Sequence, residues 1–166
     1  GRGEQLAAGA NASTGDWLLF LHADTKLGSG WVVAANRFME NPHNRFRVGY
    51  FIFTLDDPSK QARRLERMVH WRCQKLSLPY GDQGLLISRP MYDKIGGYNP
   101  IPLMEDVDII QRIANHRLEK LSALAITSAN KFKKDGYILR PLRNLFCLGL
   151  FFIGVSPRII AGFYDR

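Results

Sequence analysis

Three short acidic stretches of this chain contain side chains able to do chemistry. Asp24 follows the apolar run Trp17-Leu18-Leu19-Phe20-Leu21. In open α/β sheets ligands bind just outside the carboxyl ends of the strands. A carboxylate there can hold a divalent cation, which in turn can clamp a diphosphate. An aspartate closing a turn or capping a helix is the commoner use of the same residue. His22 lies two residues before Asp24, so strand alternation puts both on one side, although a lone strand histidine is more often a hydrogen-bonded structural residue. Glu105 and Asp106 open an amphipathic stretch, where the helix dipole favours negative charge and keeps a carboxylate ionised. An ionised, positioned aspartate is what a general base requires. Acids in a first turn are also simply good helix starts. Asp82-Gln83 sits in a Gly-flanked loop as either a turn or part of a site.

The elements that must hold these residues alternate along the chain. A short helix through Leu6 and Ala10 ends by Gly15, and Trp17–Leu21 reads as a strand apolar on both faces, of the kind buried in a parallel sheet. A helix is expected from about Ser29, its N-cap, to Glu40, with Trp31, Ala34, Ala35 and Phe38 on one stripe. Arg47–Thr54 reads as a strand, Lys60–Leu76 as a strongly basic helix, and Leu85–Ser88 as a short strand. One helical turn from Pro90, a helix from Glu105 to His116 and a strand over Leu121–Thr127 follow. Residues from about 131 to 166 are basic and then apolar, and read as helical. This alternation without a long linker predicts an α/β class and one domain over 1–166.

Composition narrows the function classes. The 166 residues are 46% hydrophobic and 23% charged, enough to bury a core. The net charge of +8 favours anionic partners such as a phosphorylated ligand or an anionic membrane surface. It is concentrated in residues 59–94 and 131–166, each at +5, against −1 for each of the other two stretches, which contain Asp24 and Glu105-Asp106. A specific nucleic-acid partner is not expected: no recognition motif is present, and the helix with Arg63, Arg64, Arg67 and Arg72 reads as a solvated face. Cys73 and Cys147 have no disulfide-framework or zinc-ligand spacing, which favours a reducing, cytoplasmic setting. The longest apolar run, Leu145–Val155, is 11 residues, against about 20 for a spanning helix. Flanked by Arg140, Arg143 and Arg158, it is expected to lie in a membrane surface or to make a hydrophobic self-contact, with a core helix as the alternative.

Taken together, the motifs resemble a family. Gly15-Asp16 with Leu18-Leu19-Phe20-Leu21-His22-Ala23-Asp24-Thr25 is similar to the D-x-D region of family 2 glycosyltransferases of the GT-A fold, a Rossmann-like nucleotide-diphospho-sugar transferase fold. Tyr80-Gly81-Asp82-Gln83-Gly84, Ile95-Gly96-Gly97-Tyr98 and Pro102-Leu103-Met104-Glu105-Asp106 are similar to later family motifs, the last to its E-D motif. With His-Ala-Asp and the late Gly-Val-Ser-Pro, the pattern most resembles a bacterial subfamily found beside radical SAM and selenium-related genes. The strands that hold the nucleotide base would precede Gly1, so the chain resembles roughly the C-terminal two thirds of such an enzyme.

The resemblance implies inverting transfer of a sugar from a nucleotide-diphosphate sugar to an acceptor hydroxyl. Asp24 would bind Mg²⁺ or Mn²⁺, His22, which stands where the first Asp of D-x-D is usual, would lie on the donor side, and Arg2 and Lys131 would contact the diphosphate. Asp106 would be the base with Glu105 beside it, and Asp82 and Gln83 would shape the acceptor side. A degenerate domain that binds without catalysing is the competing expectation.

Overall fold

An unbroken apolar run such as Val48–Leu55 is satisfied only where both faces of a strand are covered. The computed structural model describes residues 1–164, and this run is the central strand of its five-stranded mixed sheet. In chain order the elements are α1 (Arg2–Ala12), β1 (Trp17–Phe20), β2 (Thr25–Leu27), α2 (Trp31–Met39), β3 (Val48–Leu55), α3 (Lys60–Leu76), β4 (Leu85–Ser88), α4 (Arg89–Lys94), α5 (Glu105–Gln111), β5 (Leu118–Thr127), α6 (Asn130–Asp135), α7 (Leu139–Phe152) and α8 (Pro157–Tyr164). The strand order is β1-β4-β3-β5-β2; only the β3–β5 pair is parallel.

A shift in the β3–β5 pairing between Tyr50 and Ile52 puts Tyr50 and Phe53, three residues apart, on one face. That face takes α3 through Ala62, Leu65, Val69 and Cys73, the buried stripe of a helix capped by Ser59, whose Oγ accepts from Ala62 N at 3.2 Å. Phe51 faces the other way, onto Ala35 and Phe38 of α2. A third cluster joins Leu18, Leu85 and Ile87 to Met91 and Tyr92 of α4 and Ile109 and Ile110 of α5. The opposite side of α5, through Val107, meets Cys147 and Leu148 of α7 and Ile160 of α8. Clamped between two cores, α5 cannot shift without disturbing both.

Several elements differ from the sequence expectation. β1 is not an interior strand of a parallel sheet: it is an edge, antiparallel to β4, with Leu18 buried and Leu19 exposed. Its apolar run is explained by α1 and α4 over Leu18 on one side and by Phe38 of α2 against Trp17 on the other, with only Leu19 left exposed. The three-residue β2 was not expected, because such a strand exists only by pairing with β5. α2 starts after Gly30 in the left-handed region, φ +82°, so Ser29 is not its cap. α5 stops at Gln111 instead of His116, and β5 begins at Leu118, because residues 115–117 tighten into a 3₁₀ turn that feeds the strand.

Candidate functional site

The end of β1 does not carry His22 and Asp24 outward by strand alternation. Residues 22–25 instead make a tight turn, in which Thr25 N donates to His22 O at 3.0 Å, and this turn brings both side chains to one pocket. Ser128 N donates to Asp24 O at 2.9 Å, which ties the turn to the end of β5. α6 begins two residues later, and Lys131 Nζ lies 2.7 Å from Asp24 Oδ2. Partial burial raises the Asp24 pKa, but the hydrogen bond and charge of Lys131, with His22 nearby, leave it below the ordinary carboxylate value. Asp24 therefore stays ionised at neutral pH.

Asp106 reaches the same pocket from the opposite side. Just before it, Met104 holds a left-handed backbone, φ +66°, unusual for a side chain of this size. The turn sends Glu105 inward, where it is 1% exposed, and Asp106 towards the pocket. Asp106 Oδ2 accepts from Gly81 N at 3.0 Å and Oδ1 from Val107 N at 2.8 Å. Two of the four lone-pair positions of the carboxylate are then used, leaving capacity for an incoming proton. Gly81 is required to be small, since a Cβ there would fall on the His22 imidazole. The glycine thus holds the Asp24 turn and the Asp106 helix at one distance.

Between these two groups lies Asp82, half-buried, with its Oδ1 shielded from solvent and lacking a partner. Burial pushes its carboxyl upward; Arg72 and His22 oppose that, and Asp106 and Asp24 add to it. Gln83, expected beside it on the acceptor side, is not in the pocket. Its Oε1 accepts from Tyr80 N and Arg72 Nη2, both at 3.3 Å, and its Nε2 donates to Phe51 O at 3.2 Å, so it braces the loop from behind. Arg72 also covers the Tyr80 ring and donates to Leu78 O at 2.9 Å, and Arg63 donates to Leu55 O and Asp57 O. The basic face of α3 is therefore partly structural: two of the four arginines read as solvated are spent on the loops around the site.

The pocket has a volume of about 120 Å³. It gathers Arg2, His22, Asp24, Asp82, Glu105, Asp106 and Lys131 from five separated stretches of chain. Of the candidate residues only Gln83 is left out. Tyr80, Arg140, Asn144 and Tyr164 complete the wall and were not foreseen as site residues. Tyr80 adjoins the Gly81-Asp82 motif, a usable signal; the other three arrive because α7 and α8 fold back over α5, which no local pattern announces. Comparison of the chain with family models, with curated proteins and with solved structures returns no match. The chemistry of the pocket must speak for itself.

That chemistry is a mixture of fixed anions and cations. Lys131 and Arg2 line the pocket as cations that could meet an anionic ligand, Arg140 being paired with Asp135, and Asp24 is a carboxylate that could hold a divalent cation. Among the described residues no group of three or more His, Cys, Asp or Glu is assembled for a metal. Further ligands to a cation at Asp24 would have to come from phosphate oxygens and water, the usual arrangement for Mg²⁺.

Glu105 makes a separate prediction. Both its carboxylate oxygens are buried without a partner. Burial, with the Asp106 charge beside it, pushes its pKa from 4.5 up to about 7, against a smaller opposing pull from Arg2. A raised carboxyl binds its proton more tightly in the folded state, so stability is greatest below pH 4.5 and falls as pH rises through about 7. Glu105→Gln should therefore flatten the pH dependence of stability over this window, gaining on the order of 3 kcal/mol relative to the parent at pH 8. Urea unfolding of both proteins at pH 4.5, 6 and 8 checks it. Parallel curves for the two would mean that Glu105 has the same proton affinity folded and unfolded, and would overturn the prediction.

Proposed function

We propose that the chain carries the diphosphate- and acceptor-binding part of an inverting, metal-assisted family 2 glycosyltransferase of the GT-A fold. The observation that carries this reading is the meeting of Asp24–Lys131 with Asp106 in one pocket, from positions 82 residues apart in sequence for the two aspartates. The donor set at Asp24, one hard oxygen with no protein cage, fits a Mg²⁺ or Mn²⁺ that arrives with a diphosphate. When bound, that cation offsets negative charge on the departing nucleoside diphosphate. Lys131 and Arg2 pair with phosphate oxygens and orient the donor. Asp106 accepts the proton of the acceptor hydroxyl as its oxygen bonds to the anomeric carbon and the bond to the diphosphate breaks on the opposite face, inverting the centre. The two backbone N–H groups on Asp106 hold it aimed for that step.

Thermal unfolding against UDP-, GDP- and dTDP-sugars, with and without Mn²⁺, tests the reading. A donor at a hundred times its Kd adds about 2.7 kcal/mol, roughly a 5–10 °C rise in Tm for a chain of this size. A donor should give that rise only with Mn²⁺ present. No response to any of them overturns the proposal.

A further inference from the structure

A helix on a water-facing surface ordinarily turns charged residues outward. α7 does the reverse. Its buried side is Cys147 and Leu148, with Phe151 packed beside them on the α5–α8 core. Its outward side carries Leu142, Leu145, Phe146 and Phe152, continued by Ile138 before the helix and Ile153 after it, each more than half exposed. They share one face of the helix, with Gly149 at the turn between Phe146 and Phe152, and no charged residue breaks the stripe. The two arginines of α7 do not relieve it, because Arg140 and Arg143 both turn to Asp135 of α6. Ile159 and Phe163 of the adjoining α8 are exposed as well. Contiguous apolar surface of this kind marks an interaction site.

The charge around the stripe identifies what covers it. Lys134 precedes α7 and Arg158 follows it, both exposed and without a carboxylate partner among the described residues, whereas Lys133 lies 3.7 Å from Asp57. Asp135, the single acid among described residues 131–164, is already neutralised by the two arginines. A long apolar band with an exposed cation at each end matches the boundary between acyl chains and anionic head groups. No helix among the described residues is long and apolar enough to cross a membrane. We infer that α7 and α8 seat this protein on an anionic bilayer surface, α7 lying in the plane with its outward stripe among the acyl chains. The inner side of the same helices lines the pocket through Arg140, Asn144 and Tyr164, so the seated protein holds its site beside the lipid.

Flotation of the full chain with phosphatidylcholine vesicles, with and without phosphatidylserine, tests this inference independently of any transferase activity. The protein should float with the anionic vesicles only, and release as salt is raised. Lys134→Gln with Arg158→Gln leaves the apolar stripe intact and should lower the partition coefficient about 25-fold, roughly fivefold per cation. Leu142→Ser with Phe146→Ser should abolish flotation, and an unchanged thermal melt would show that it has not done so by unfolding the chain. Failure to float with either vesicle overturns the inference, as does equal flotation with both. So does a concentration-dependent dimer in sedimentation equilibrium that is lost in Leu142→Ser/Phe146→Ser while the parent chain does not float, since a second copy would then cover the stripe.

Discussion

Asp106→Asn should leave donor binding intact and reduce sugar transfer by about two to four orders of magnitude, the range for loss of a general base. The substitution isolates chemistry from geometry. An asparagine oxygen can still accept the Gly81 or Val107 N–H that the carboxylate accepts now. The α5 clamp between its two cores does not depend on the charge. What disappears is the capacity to take up a proton. Single-turnover transfer should collapse, and the Mn²⁺-dependent Tm rise should persist within a degree or so of the parent protein. Transfer within tenfold of the parent would move the base elsewhere, and Glu105, buried behind Asp106, is the first alternative to replace.

The second large effect is expected at Asp24. Asp24→Ala should remove the whole metal-dependent part of donor stabilisation, the roughly 5–10 °C rise expected for a saturating donor. The fold itself should survive, because the Asp24–Lys131 pair is exposed on the lysine side and such pairs contribute at most about 1 kcal/mol. Binding of nucleotide without Mn²⁺ should weaken less, since freed Lys131 remains available to phosphate. A Tm rise in Asp24→Ala that still requires Mn²⁺ would exclude Asp24 as the cation's ligand. The outcome at Asp106 does not depend on this one, so the two variants separate the donor side of the site from the acceptor side.

The basic helix α3, the apolar β3 and the acidic opening of α5 were all legible in the sequence. Each rests on interactions within a few residues, where periodicity and capping act directly. The acids Asp24, Asp82, Glu105 and Asp106 were identifiable for the same reason: each stands at an element boundary that local pattern marks. Which strand lies at the edge was not legible, because Trp17–Leu21 is equally apolar whether a strand or helices cover it. Nor could the sequence separate Asp82 from Gln83. They are neighbours in one loop, and only the packing of Phe51 and Arg72 behind that loop turns Gln83 inward and leaves Asp82 in the pocket. Local sequence marked the candidate residues and most of the helix and strand segments. The pairing of Asp24 with Lys131, the seating of Asp106 on Gly81 and the closure of the pocket by α7 and α8 were decided by tertiary structure, because each joins parts of the chain whose meeting depends on how separate apolar faces bury one another.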